Sequence, residues 1–273
     1  MSRNCTPQEA EAGAAAHHGS DTTRTPADGA LGGAAFEVDA ATPSCRRIFE
    51  RGEHLLVGVS AGNSYFSAER VGALLSWAVP RFERIDVVYV DTHMDTMLEA
   101  LGYPPASVRK RVKAQLKDVR RRLRRGVEAA PGAADSVVVR PLSEYVPLPA
   151  YAEALRSVDR LLGEDEELMH ACEEQVTDFY KDRADGTALV SSESEMFEAG
   201  MAYVRAEFPF FLNTPEMTGA RSSVTCYHKM MPIAKALFRE GSPIPRHPEQ
   251  GFIVVRPTGP GTEEGEVAGA PGV

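Results

Sequence analysis

Three short stretches of this 273-residue chain combine residue types that could do chemistry. The first is Gly58-Val59-Ser60-Ala61-Gly62-Asn63, a serine between glycines directly after the apolar run HLLVGV at 54–59. A serine so placed can act as a nucleophile. Glycines allow close backbone approach, and N–H groups at the start of a following helix can meet a developing oxyanion. Serine and glycine also serve turns for bending and capping alone, and the spacing does not choose between the two readings. The second stretch holds Tyr203 and Glu207, i and i+4 neighbours on a helical stripe with Met196 and Gly200 that runs into Phe208-Pro209-Phe210-Phe211. A glutamate on so apolar a stripe must find a partner, and a substrate ammonium or a nearby arginine would both serve. The third, Ser222-Ser223-Val224-Thr225-Cys226-Tyr227-His228, ends a β-rich run with a tyrosine and a histidine.

Five short apolar runs are predicted as strands: 54–59, 85–90, 136–139, 223–227 and 252–255. Their consecutive apolar residues suit strands buried on both faces. Helical patterns fall near 66–79, 108–125, 149–161, 164–181, 192–207 and 230–239, with Ser192-x-x-Glu195 reading as a capping box. This alternation predicts an α/β fold, a Rossmann-like parallel sheet flanked by helices, with ligands at the carboxyl ends of its strands. All three chemical stretches would then meet at one edge. Residues 1–44 and 258–273 are rich in Ala, Gly, Thr and Ser, carry little apolar periodicity and are expected to be disordered tails. The single catalytic domain is expected to span 45–257.

The net charge of −9 argues against a general nucleic-acid binder, but the charge is unevenly spread. From Arg109 to Arg125 ten basic residues accompany one acid, Asp118, a local +9 that leaves −18 on the rest. The apolar positions Val108, Val112, Leu116, Val119 and Leu123 recur at helical spacing, so a helix is predicted with Ser107 as its cap and Gly126 as its stop. Its other faces would be almost wholly basic. Such a face needs counterions or a phosphate backbone, and Arg109, Lys110, Lys113, Lys117, Arg120, Arg121, Arg124 and Arg125 are the candidate RNA contacts. Four scattered cysteines make no CxxC pair, and neither a disulfide framework nor a metal site is expected. The absence of a long apolar run and of a secretory signal points to a cytoplasmic protein away from membranes.

Together, GVSAGNSYFS, Tyr203-x-x-x-Glu207-Phe-Pro-Phe-Phe-Leu and Tyr227-His228 resemble the motifs of the cyclodipeptide synthase family, over most of residues 50–240. The resemblance implies a fold similar to the catalytic domain of class I tyrosyl- and tryptophanyl-tRNA synthetases, without their ATP machinery; no HIGH-like or KMSKS-like motif occurs. It implies two aminoacyl-tRNAs as substrates, a seryl-enzyme intermediate, a cyclic dipeptide product and no metal or nucleotide cofactor. By that resemblance Ser60 is the acylated nucleophile and Tyr203 and Glu207 hold the substrate amino group. Tyr227 would assist proton transfer, while Asn63 and His228 mark a subgroup carrying Asn, Tyr and His at these positions. Gly58, Leu56, Val88, Phe210 and Thr225 would line the first substrate pocket and favour an uncharged side chain. Ala61 departs from the proline that family members often carry there. The basic helix would face the tRNA acceptor arm, enzymes that tailor diketopiperazines would act downstream, and the chain would be a monomer or homodimer.

Two readings of other classes stay open. Gly58 to Gly62 also fits G-x-S-x-G, the elbow of serine hydrolases, with His93, His170, His228 or His247 as partner. That fold needs an earlier oxyanion loop, and Ser60 follows the first strand found. A non-catalytic tRNA-binding module would explain the basic helix, though not the other three stretches.

Overall fold

The computed structural model describes residues 35–181 and 192–258. In chain order the elements are β1 (Ala35–Ala40), α1 (Pro43–Arg51), β2 (His54–Val59), α2 (Ala68–Ala78), β3 (Arg84–Tyr89), α3 (Met94–Ala100), α4 (Pro105–Ala129), α5 (Ala133–Ser136) and β4 (Val137–Pro141). There follow α6 (Pro149–Glu164), α7 (Glu166–Lys181), α8 (Glu193–Glu207), α9 (Pro209–Leu212), α10 (Thr214–Thr218), β5 (Ser223–Tyr227), α11 (Pro232–Leu237) and β6 (Gln250–Thr258). One six-stranded sheet runs β1-β6-β5-β2-β3-β4.

Strands alternate their side chains between two apolar layers, as the period-2 geometry requires. Leu55, Val57, Ile85, Val87 and Val224 pack under α2 and α4 with Leu75, Trp77, Val119 and Leu123. Leu56, Val88, Phe252 and Val254 face the other layer, with Tyr151 and Val158 of α6, Leu168 of α7, and Val204 of α8. The predicted double burial of the strands follows from these two covers. From β2 the chain proceeds outward through β3 to β4, then returns to lay β5 against the opposite side of β2. Strand order therefore reverses between β2 and β5, and the helices that leave these two strands must part. A crevice opens there, at the carboxyl ends.

Four expectations are corrected. Residues 35–44 are folded, since β1 pairs antiparallel with β6 and α1 begins at Pro43. Phe36, Val38 and Ala40 alternate with the exposed Glu37 and Asp39, the pattern of an edge strand covered on one face only. The sheet is accordingly parallel over five strands, with an antiparallel edge. The helix after Ser60 starts at Ala68, capped by Ser67, so a loop of 60–67 intervenes. Ser107 does not cap α4, which starts at Pro105 after the N-cap Pro104, and Gly126 lies inside the helix. The remaining predicted tail residues, 1–34 and 259–273, lie outside the described residues.

Gly126 has a packing reason. A side chain there would stand 2.4 Å from Val71 Cγ1 and 3.1 Å from the Gly72 backbone nitrogen, so its absence lets α4 lie against α2. Gly126→Ala is expected to destabilise the fold by about 1–3 kcal/mol, overpacking exceeding the gain in helix propensity. A urea midpoint equal to or above wild type would contradict this contact.

Candidate functional site

Ser60 stands just past the end of β2, where the Asn63 N–H donates to the Ser60 carbonyl (3.2 Å) and Gly62 has φ 81°. A closed four-residue turn with positive φ at its third position is the type II pattern, which only glycine meets without strain and which accepts alanine or proline second. Ala61 thus keeps the turn its sequence position demands. Asn63 fixes the exit: its Oδ1 accepts from the Tyr65 N–H (2.9 Å), and its Nδ2 reaches the Tyr227 hydroxyl at 3.5 Å. The helix dipole expected beside Ser60 is displaced by the loop, because α2 begins eight residues on.

Across the crevice lies a cavity of about 500 Å3, mouth included, walled by Ser60, Gly58 and Leu56 of the β2 segment, Val88 of β3 and Thr225 of β5, with Phe210, Glu207 and Tyr227. Eight of the residues singled out from sequence therefore meet on one surface. Val90, Leu142, Phe211, Cys226 and Met231 complete it. Val90 follows Val88 on the same strand face and was legible by period 2. Leu142 and Met231 arrive from segments whose sequence gives no signal of the cavity. Thr225 is the polar group set into an otherwise apolar floor; its Oγ1 accepts from Gln250 Nε2 at 3.0 Å.

Glu207 ends α8, a helix whose capping box at Ser192 and Glu195 forms as predicted. Its carboxyl opens onto the cavity but is otherwise walled by protein. Burial pushes it up to about 8, although the Tyr203 hydroxyl donates to it and works in the opposite direction. No arginine partner is recorded for it among the described residues; the arginine on its own helix, Arg205, instead pairs with Asp159. Tyr203 itself is buried behind the glutamate, its ring 5.9 Å from that of Phe179. The packing at Gly200 is tight, since a side chain there would stand 2.4 Å from Val176 Cγ1 of α7.

His228 does not line the cavity. Its ring stacks on Tyr65 (3.9 Å, 18°) and lies against Phe66 and Tyr227, and burial with nearby Lys229 and Arg70 lowers it to about 4. A neutral imidazole in an aromatic stack holds the Tyr65 and Tyr227 segments together. His170 pairs with Glu173 and His247 accepts from the Glu249 N–H, and none of the four candidate histidines hydrogen-bonds Ser60 among the described residues. The hydrolase geometry is absent there.

All eight candidate cations of α4 are exposed. Arg109, Lys113, Lys117, Arg120, Arg121 and Arg124 form one wall of a broad groove whose other wall is Asp91, His93, Asp95 and Glu99 around α3. The groove adjoins the cavity at the end of β3, where Val90 walls one and Asp91 the other. Lys110 and Arg125 lie off this groove. Val112 and Leu116, on the apolar stripe of the helix, line its floor, and Leu116 also packs against the core beneath.

Fold and cavity together define a Rossmann-like enzyme. The family described as cyclodipeptide synthase matches residues 36–257. A cyclo(L-leucyl-L-phenylalanyl) synthase of Streptomyces noursei is 44% identical over 213 residues, 78% of this chain and 88% of that protein. The crystal structure of a cyclo(L-leucyl-L-phenylalanyl) synthase superposes with a TM-score of 0.76 at 41% identity, covering 82% of this chain and 99% of that one. A Mycobacterium tuberculosis protein, whose structure relates cyclodipeptide synthetases to type I tRNA synthetases, aligns with a TM-score of 0.72 at 33% identity, covering 83% and 96%. This chain belongs to the cyclodipeptide synthase family and is an aminoacyl-tRNA-dependent transferase that forms cyclic dipeptides. No helix among the described residues is long and apolar enough to cross a membrane.

The raised carboxyl of Glu207 has a consequence for stability. From the ordinary value of 4.5 up to about 8 the unfolded chain ionises this group while the folded chain keeps its proton. Stability is therefore lost as pH rises through that window, by at most about 1.4 kcal/mol per unit and less where cavity water reaches the carboxylate, and the loss levels off above it. Glu207→Gln cannot ionise and is expected to gain stability relative to wild type between pH 5 and pH 8, read from parallel melts. A constant difference across that range would place Glu207 in contact with water or a cation.

Proposed function

We propose that Ser60 carries the growing product as an ester, and that one observation supports this above others: Ser60, Glu207 and Tyr227 wall a single cavity at the strand-order switch. Ser60 Oγ attacks the carbonyl of an aminoacyl-tRNA. The new bond forms from Oγ to carbon, the bond to the tRNA ribose oxygen breaks, and that oxygen leaves with the serine proton. Glu207 holds the amino group of the bound aminoacyl moiety. In the empty site its proton is retained near neutrality, and an approaching ammonium supplies the opposite charge that releases it. Tyr203, donating to the carboxylate from behind, aims it.

The amine of the seryl-bound amino acid then attacks the carbonyl of a second aminoacyl-tRNA; the new amide forms, the bond to the second tRNA's ribose oxygen breaks, that oxygen leaves with the amine proton, and a dipeptidyl enzyme results. The free amine of that dipeptide attacks the remaining ester and frees Ser60 with the cyclic product. Tyr227, tied to Asn63, is placed to pass protons between the amine and the departing oxygen. The apolar walls Leu56, Val88, Leu142 and Phe210 favour an apolar first amino acid, in keeping with the leucine and phenylalanine joined by the Streptomyces noursei relative. Charged tRNA is met in the cytoplasm, where the chain would work.

The tRNA docks on α4, whose exposed cations contact phosphates without reading sequence. The carboxylates across the groove confine it to that side. Replacing Lys113, Lys117, Arg121 and Arg124 by alanine is expected to weaken tRNA binding and flatten its log–log salt dependence by about three to four units. An unchanged slope would move the docking surface elsewhere. For the chemistry, wild-type enzyme quenched after mixing with labelled aminoacyl-tRNA should carry label on Ser60, and Ser60→Ala should form no cyclic dipeptide. Product from Ser60→Ala, or label on another residue, would sink the seryl route.

A further inference from the structure

Arg122 belongs by sequence to the basic run of α4, yet the fold turns it away from the groove. Its side chain is 15% exposed, against 53% for Arg121 and 70% for Arg124. Nη1 donates to two backbone carbonyls, Asn63 O and Phe66 O, each at 2.8 Å. Both carbonyls lie in the loop between Ser60 and α2, the first at the end of the Ser60–Asn63 turn and the second just before the helix cap. Its Nε stands 2.9 Å from Asp118 Oδ2, while Asp118 Oδ1 pairs with Arg121. The one acid of the basic run therefore joins an exposed cation to the cation that holds the loop.

Resting on the seryl mechanism proposed above, we infer that Arg122 is a positioning residue. It sets the loop that carries Ser60 and Asn63, and through Asn63 it sets the Tyr227 hydroxyl, instead of contacting tRNA. A charged donor shared by two carbonyls is among the stronger protein hydrogen bonds, and it acts where the backbone would otherwise choose among turns. Asp118 links this function to the tRNA face. A phosphate that takes Arg121 from Asp118 leaves that carboxylate wholly to Arg122, so docking on the outer face firms the loop within.

Arg122→Ala, Arg122→Lys and Asp118→Asn separate loop placement from phosphate contact. Single-turnover acylation of Ser60 is measured at saturating labelled aminoacyl-tRNA, beside tRNA affinity, its salt slope and a melt that gives the folded fraction. Arg122→Ala is expected to acylate roughly ten- to hundred-fold more slowly at saturation, as for a reacting group misplaced by about 1 Å, with affinity and slope unchanged. Arg122→Lys, keeping a charged donor, should recover part of the rate. Asp118→Asn removes a negative charge from the tRNA face, so binding should hold or tighten while saturated acylation falls. These opposed directions are not produced by general loss of structure. A salt slope flatter by about one unit with normal saturated acylation would make Arg122 a phosphate contact and overturn the inference. A lowered melt whose folded fraction acylates normally would overturn it too, leaving only a structural tie. Unlabelled wild-type enzyme would overturn the seryl route and this inference with it; labelled wild type beside an equally fast Arg122→Ala would overturn the inference alone.

Discussion

The site depends on the reversal of strand order between β2 and β5. Parallel pairing of Leu55 with Val224 and Val57 with Cys226 fixes the two strands in register, so their ends arrive at one level. The chain leaves β2 toward α2, in the layer with α4, and leaves β5 toward α11, in the opposite layer. Neither departing segment can cover the gap. Ser60 leads off one side of it and Tyr227 closes the other, and the Asn63 amide reaches between them. Both groups follow strands that are buried and paired up to Val57 and Cys226, so their spacing is set by the register of the sheet.

Glu207 answers a different constraint. It ends a helix whose other inward residues, Gly200, Tyr203 and Val204, pack against α7 and the core, and it cannot swing into water without unpacking them. Desolvation opposes its charge and the single Tyr203 hydrogen bond only partly offsets that. A carboxyl kept protonated by an apolar cavity is a cost to folding at pH values where the unfolded chain would ionise it.

Much of the site was legible because its residues bear strong local signals. The strand limits 54–59 and 223–227 could be read from apolar runs, and the capping box placed the start of α8, from which Tyr203 and Glu207 share a face by helical spacing. The loop after Ser60 was not legible: Tyr65 and Phe66 continue the apolar pattern of α2, but Asn63 and Ser67 take up backbone N–H groups and delay the helix. Gly126 read as a stop by composition, yet close packing on Val71 keeps it helical to Ala129. β1 was hidden because half its face is solvent and its neighbours are Ala, Gly and Thr. Arg122 could not be told from its basic neighbours, because only tertiary contact reveals which cation faces inward.

The same sheet holds a buried serine, histidine and aspartate, and its geometry shows why residue types alone do not make a site. His54 Nδ1 meets Ser223 Oγ at 2.7 Å and its Nε2 meets Asp86 Oδ2 at 3.1 Å, with Arg84 on the same carboxylate at 2.7 Å. Burial alone would raise the Asp86 carboxyl, but the His54 hydrogen bond and the charges beside it hold it below the usual range. Ser223, His54 and Asp86 are at most 2% exposed, at the amino side of the strands, one pleat below Leu56, Val88 and Thr225 of the cavity floor. No substrate can reach them without parting β2, β3 and β5. A buried set with nearly every group paired ties three strands into one register and makes the floor stiff. Ser60 has the reverse arrangement: among the described residues no hydrogen bond is recorded for its hydroxyl, and it walls the cavity. Exposure and pairing, more than residue type, distinguish a serine open to a cavity from a serine that braces the sheet.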